Sequence, residues 1–125
     1  MTANDLVTTA ANDLLRRIDP AQVHTAFSPN GAPRIWNAAV KHRPAVVVRA
    51  RAPHGVQQAI RVARDHQMQL SVLGGGHDWA GRALCDGGLL IDLSRMRGVK
   101  VDASTRVATV GGGATAADVM AATSP

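Results

Sequence analysis

Residues 45–81 read AVVVRARAPHGVQQAIRVARDHQMQLSVLGGGHDWAG, and this stretch decides the fold. Ala45 to Ala50 is a β-branched run of strand length with no polar alternation until its end, the pattern of a buried strand. Pro53 stands where a helix favours its first residue. Val56, Ala59, Ile60 and Ala63 then recur at helical spacing, with Gln57, Gln58, Arg61, Arg64 and Asp65 off that stripe. Leu70 to Leu73 is a second short strand. Strand, helix, strand makes a βαβ unit, whose two strands run parallel with a right-handed crossover.

Downstream, Leu89 to Leu93 is another buried strand. Val99–Asp102 and Arg106–Val110 alternate around an Asp102-to-Thr105 turn and predict a hairpin. Gly111-Gly112-Gly113 closes it and leads into a helix over Thr115 to Ala122. Upstream, Leu6, Val7, Ala10, Leu14, Leu15 and Ile18 predict a helix over 4–18, capped by Asn4 or Asp5 and stopped by Asp19-Pro20. The stretch to Pro33, with Pro29, Asn30 and Gly31, reads as loop. Pro33 then opens a short helix carrying Ile35, Trp36 and Val40 that ends before Pro44. The expected organisation is an N-terminal helix and loop over 1–33, with the helix packed outside, and an α/β (α+β) domain over 34–125. That domain is a small βαβ sheet plus a β-hairpin with flanking helices.

A chain of 125 residues is one domain at most. No apolar run approaches the roughly 20 residues that span a bilayer. The first twenty residues lack the basic start and unbroken apolar stretch of a secretory signal. The single cysteine, Cys85, excludes an internal disulfide and a Cys-rich zinc site. A small soluble protein of the cytoplasm is the expectation, with no membrane partner. Twelve Arg and two Lys face nine Asp and no Glu, for a net charge of +5. Such a balance invites a nucleic-acid reading. The arginines form no run, however, and Phe27, Trp36 and Trp79 are too few for a base-stacking platform. No nucleic-acid partner is expected.

Chemistry concentrates at Gly74-Gly75-Gly76. Three glycines at the carboxyl end of a strand let backbone N–H groups converge on an anionic group, typically a phosphate. A bare triplet serves equally well as an ordinary turn, but this one runs into His77, Asp78 and Trp79, and an indole and an imidazole are unusual at a mere turn. A dinucleotide fingerprint starting at Gly74 would need glycine where Trp79 stands. Gly111, Gly113 and Ala116 fit that pattern better, but follow a hairpin arm, and the acidic residue about 20 positions on would fall past residue 125. His77 with Asp78 lacks a third metal ligand, since His24, His42, His54 and His66 show no ligand spacing to it. Cys85 reads as a small buried apolar residue.

Arg34-Ile35-Trp36-Asn37, Pro44 to Val48, Gly74 to Gly81, Cys85 to Val99 and Val110 to Gly113 follow one another in an order and spacing that resemble a known family. It is the first half of the FAD-binding domain of the berberine-bridge-enzyme-like oxidases, within the vanillyl-alcohol-oxidase or PCMH-type flavoprotein superfamily. The resemblance implies the N-terminal lobe of a PCMH-type FAD-binding domain, with FAD as cofactor. It implies that Gly74, Gly75, Gly76, His77, Asp78, Trp79 and Gly81 bind it, the glycine loop wrapping the pyrophosphate. His77 takes the position whose imidazole carries the flavin covalently through the 8α-methyl carbon. A neutral imidazole nitrogen is a competent nucleophile near neutral pH. Cys85 matches a different position from the second attachment cysteine of some members. No catalytic residue and no metal is implied within this chain.

The family continues beyond this point into a second flavin segment and a substrate domain, so a truncated member is expected. The implied function is an FAD-binding fragment of a flavin-dependent oxidoreductase that, if complete, oxidises an alcohol or amine centre and passes electrons to dioxygen. A small-molecule substrate is implied only if a missing domain completes the protein. The alternative is a non-catalytic remnant, a structural or partner-binding module without flavin. The apolar runs Val46 to Val48, Leu89 to Leu93 and Val107 to Val110 need cover, and self-association through them is expected.

Overall fold

The sheet is centred on β4 (Leu89–Asp92), all four residues of which are buried. In the computed structural model, which describes residues 1–26, 28 and 33–124, β4 has a parallel neighbour on each side. β2 (Val46–Arg49) pairs with it so that Val46 faces Leu89 and Arg49 faces Asp92. β3 (Leu70–Leu73) pairs on the other side, Leu70 facing Leu89 and Leu73 facing Asp92. The βαβ unit is β2, α2 (Pro53–Asp65) and β3, with β4 inserted between its two parallel strands. β1 (Val23–Thr25) adds antiparallel to the outer side of β2. That strand lies in the stretch read from sequence as loop, and three residues are too short for a period-2 signal. The loop residues Pro29, Asn30 and Gly31 lie outside the described residues.

Burial on both faces explains the unbroken apolar runs of β2 and β4. On one face Val46, Val48, Leu89 and Ile91 pack under α2 and α1 (Ala3–Arg17), against Ala10, Leu14, Ile18, Ala59, Val62 and Ala63. On the other face Val47, Leu73 and Leu90 are covered by Leu84, Ile35 and Ala83 from the loops. Two of the three apolar runs expected to need outside cover are therefore closed within the chain. The third lies on the hairpin of β5 (Val99–Asp102) and β6 (Val107–Val110), where Val101, Val107 and Val110 are exposed. α3 (Ala116–Thr123) follows it. No helix among the described residues is long and apolar enough to cross a membrane.

Four local expectations differ from the structure. α1 is capped by Thr2, whose hydroxyl accepts from Asp5 N–H while Asp5 accepts from Thr2 N–H and Oγ1, so Asp5 closes the capping box from inside the helix. Nor does α1 sit outside the core, because Ala10 and Leu14 are fully buried. The buried face of α2 runs through Gly55, Gln58, Ala59, Val62 and Ala63, so Ile60 is left 47% exposed. The sequence stripe captured Ala59 and Ala63 but missed Val62. Finally, Pro33–Val40 forms no helix: Val40 N–H donates to Asn37 O in a turn, and Trp36 N–H is taken by Gly76 O at 2.8 Å. A backbone recruited by a neighbouring loop cannot also build a helical ladder.

Leu14 is the largest side chain that α1 buries completely. Leu14→Ala is expected to cost about 2–4 kcal/mol in urea unfolding. Leu15→Ala, at a position 41% exposed on the same helix, is expected to cost under about 1 kcal/mol. Equal costs would contradict the packing of α1 on the sheet.

Candidate functional site

At the carboxyl ends of β3 and β4 the ladder stops. Leu93 N–H donates to Leu73 O at 2.9 Å, but Leu93 O then accepts from Met96 N–H at 2.8 Å and does not return to β3. Gly74 and Gly75 therefore leave the sheet with no ladder partner. Among the described residues no acceptor takes the Gly75 N–H.

The second triplet enters this opening from β6. A Cβ on Gly113 would overlap the carbonyl of Leu93, so backbone lies directly on backbone there, an approach only glycine permits. Gly113 N–H donates to Met96 O at 3.0 Å, and Gly111 N–H to Gly98 O at 2.8 Å. Between the triplets lies a cleft of about 350 Å³, with Leu73, Gly74 and Gly75 on one wall and Gly113 and Thr115 on the other. The backbone of Gly75 faces open space, with no heavy atom within 4 Å of where a Cβ would sit.

Three arginines line the same cleft: Arg34, Arg49 and Arg97. Arg49 Nε donates to Asp92 Oδ2 at 2.8 Å, joining the carboxyl ends of β2 and β4, and Asp92 Oδ1 accepts from Ser94 N–H at 2.8 Å. Burial alone would raise the Asp92 carboxyl, but the Arg49 guanidinium and the Ser94 N–H outweigh it and hold the group below the usual carboxylate range. Arg97 donates to Asp118 from Nη2 at 2.7 Å and from Nε at 2.9 Å, which holds that carboxyl far below its ordinary value. Asp118 also accepts from Thr115 N–H and Oγ1, closing the capping box of α3. The chain segment after β4 and the start of α3 are thereby tied together across the cleft mouth. Ser94 and Thr115 bring hydroxyls to it. With backbone N–H groups, hydroxyls and guanidinium groups on its walls, the cleft suits a phosphate or diphosphate.

The rest of the loop is built to hold its shape. Gly76 has φ +76°, and a Cβ there would lie 2.9 Å from Arg34 O. Asn37 Nδ2 donates to Trp79 O at 2.6 Å, a second tie between residues 34–37 and the loop. Asp78 is turned inward on Arg82, accepting from its backbone N–H at 2.7 Å and its Nη2 at 2.9 Å. The Arg82 guanidinium holds the Asp78 carboxyl at about 2. Asp78 is thus a loop clamp, and its carboxylate is not shared with His77. The His77 imidazole is exposed and stacks on Trp36, ring centroids 6.5 Å apart and planes inclined by 21°. Trp79 is 72% exposed, and its carbonyl is the part the fold uses.

Of the seven residues read from sequence, then, Gly74 and Gly75 line the cleft. Gly76, Asp78 and Gly81, the last with φ +74° and no room for a Cβ beside Val40, shape the loop, and His77 and Trp79 stand at its surface. Sequence reasoning missed Arg34, Arg49, Asp92, Ser94, Arg97, Gly113 and Thr115. The second triplet was a visible signal, read as a dinucleotide fingerprint and as part of the family resemblance but not as a wall of the site, whereas isolated arginines carry no local pattern.

Residues 44–125 match the FAD binding domain family. The chain is 33% identical over 86 residues to (R)-6-hydroxynicotine oxidase of Paenarthrobacter nicotinovorans, a match covering 69% of this chain and 19% of that protein. It is 34% identical over 86 residues to berberine bridge enzyme-like 2 of Arabidopsis thaliana, covering 67% of this chain and 16% of that protein. The crystal structure of 6-hydroxy-D-nicotine oxidase from Arthrobacter nicotinovorans superposes with a TM-score of 0.77 at 28% identity, covering 80% of this chain and 22% of that one. The chain therefore spans about a fifth of the length of the relatives it matches.

The loop geometry separates neighbouring glycines. Gly76→Ala is expected to lower stability by about 2 kcal/mol, because it forces a Cβ into the left-handed region against Arg34 O. Gly75→Ala is expected to stay within about 0.5 kcal/mol of wild type in the same urea titration. The Asp78 clamp predicts a pH dependence. Its folded carboxyl lies below the unfolded value of about 3.9, so its stabilisation is complete above about pH 4 and is lost as pH falls toward 2. Asp78→Asn is expected to flatten the acid limb of the stability profile between pH 4 and 2. An unchanged limb would contradict the clamp.

Proposed function

The chain belongs to the FAD binding domain family, and we propose that the cleft between its two glycine triplets holds the FAD diphosphate, with His77 as the point of covalent attachment. The observation that carries this reading is the open Gly75 backbone in a cleft lined by Arg34, Arg49 and Arg97. A diphosphate brings about two negative charges, and three guanidinium groups against the carboxylates of Asp92 and Asp118 leave the cleft with a net positive charge to receive them. The residues present fit the group.

Each part of the chain has a task in that arrangement. Gly75 offers a free N–H with no side chain in the way. Ser94 brings a hydroxyl to the cleft, while the hydroxyl of Thr115 is given to Asp118. Asp92, fixed by Arg49 and Ser94 N–H, keeps the Arg49 guanidinium at the ends of β2 and β4. Asp118 holds Arg97 beside Thr115. Gly76, Asp78, Trp79 and Gly81 belong to the binding loop by setting its course. His77 stands two residues past the cleft wall, where its exposed ring is free to bond a flavin. FAD, when bound, supplies hydride-accepting chemistry. Within a longer protein of this family that chemistry would serve the oxidation of an alcohol or amine centre, with dioxygen as the electron acceptor.

The test is FAD titration followed by acid precipitation of the protein. Wild-type protein is expected to quench flavin fluorescence on binding and to carry yellow colour into the acid pellet. His77→Ala is expected to keep FAD affinity within about threefold while losing all acid-stable flavin. Gly75→Val is expected to weaken binding at least about tenfold, or about 1.4 kcal/mol, with little change in stability. Unaltered FAD affinity in Gly75→Val would remove the cleft from the reading. Acid-stable flavin in His77→Ala would move the attachment elsewhere. A wild-type protein that takes up no flavin would favour a structural or partner-binding module.

A further inference from the structure

Trp36 is 66% exposed, whereas its neighbour Ile35 turns inward against Val47, Leu73, Leu84 and Leu90. An indole left so far in water adds little to the core, and its ring contact is with His77. A centroid separation of 6.5 Å with nearly parallel planes falls within the range of offset stacking. The backbone fixes both partners. Trp36 N–H donates to Gly76 O at 2.8 Å, directly before His77, and Asn37 Nδ2 donates to Trp79 O at 2.6 Å, just beyond it. The missing side chain at Gly76 is what lets residues 34 and 35 lie this close to the loop, since a Cβ would lie 3.3 Å from the Ile35 Cα. The expected helix over Pro33–Val40 is replaced by a segment docked against the loop that presents His77.

We propose that Trp36 is a positioning residue for His77: its indole, nearly parallel to the imidazole and offset from it, restricts the rotation of that ring, leaving the in-plane lone pair of a ring nitrogen free at the edge for flavin attachment. This role rests on the reading of His77 as the attachment point. In that attachment His77 forms one N–C bond to the 8α-carbon. A C–H bond of that carbon and the imidazole N–H are given up as protons. The electron pair stays in the isoalloxazine until dioxygen removes it, leaving with two protons as hydrogen peroxide. Holding a nucleophile's orientation before reaction lowers the entropic part of the barrier.

The experiment compares Trp36→Ala and Trp36→Phe in the full chain, following acid-stable flavin with time after FAD is added. Trp36→Ala is expected to slow attachment about tenfold, and Trp36→Phe, which keeps a ring over His77, to return to within about threefold of wild type. Reversible FAD affinity, measured in the His77→Ala background, is expected to be unchanged by Trp36→Ala. The NMR signals of the His77 ring protons are expected to move in Trp36→Ala of the otherwise unaltered chain as the indole ring current is lost. Attachment at the wild-type rate in Trp36→Ala, or His77 signals that do not move, overturns the role while leaving attachment at His77 intact. A parallel loss of FAD affinity would show a structural effect of Trp36 and overturns it as well. A wild-type chain that never acquires acid-stable flavin overturns the attachment reading and this role together.

Discussion

The carbonyl of Leu93 resting on the Cα of Gly113 is the contact on which the rest of the structure depends. It is where the hairpin of β5 and β6 returns to the parallel sheet, and it leaves no room for any side chain. Because Leu93 O is occupied by Met96 N–H, β3 loses its ladder partner at that level, and Gly74 and Gly75 splay away from the sheet. The cleft is the space between two glycine segments that approach each other and stop short. Gly74 comes within reach of Gly112 O, 3.0 Å from where its Cβ would sit, while Gly75 faces nothing. Close backbone approach and an open anion site have one cause, which is that neither segment carries side chains.

Electrostatics then sets the character of that space. The basic excess of the chain is scattered along the sequence, but folding brings Arg34, Arg49 and Arg97 to one opening. Arg49 and Arg97 are each held by a carboxylate, Asp92 and Asp118, whose ionised forms are favoured by the same contacts. Arg34 has no ion-pair partner among the described residues. An anionic ligand thus meets two guanidinium groups already fixed in place and a third available to it. Fixing donors in advance lowers the ordering cost of binding.

Much of this was legible in the sequence. Val46 to Val48 and Leu89 to Ile91 read as buried strands because both faces of the sheet are covered, by helices on one side and by loop residues Ile35, Ala83 and Leu84 on the other. Pro53 marked the start of α2 and the glycine triplets marked both walls of the cleft. The failures share a physical origin in tertiary contacts. β1 exists because Val23, His24 and Thr25 pair with β2, and nothing local in those residues demands extension. Pro33–Val40 has helical periodicity, yet the Gly76 carbonyl captures Trp36 N–H. The stripe of α2 is turned toward Val62 by where α1 and the sheet lie, leaving Ile60 outside. Arg97 and Thr115 become neighbours only through Asp118. Single polar residues that meet through the fold leave no periodic trace.

The central claim, that the cleft between the triplets receives a diphosphate, is tested most directly by amide NMR of the labelled chain during titration with ADP. The amide signals of Gly75, Ser94, Gly113 and Thr115 are predicted to move together along one saturating curve, with Gly75 among the largest shifts. Saturable shifts confined to residues elsewhere, such as Ala38 to Arg43, with those four signals unmoved, would contradict the account.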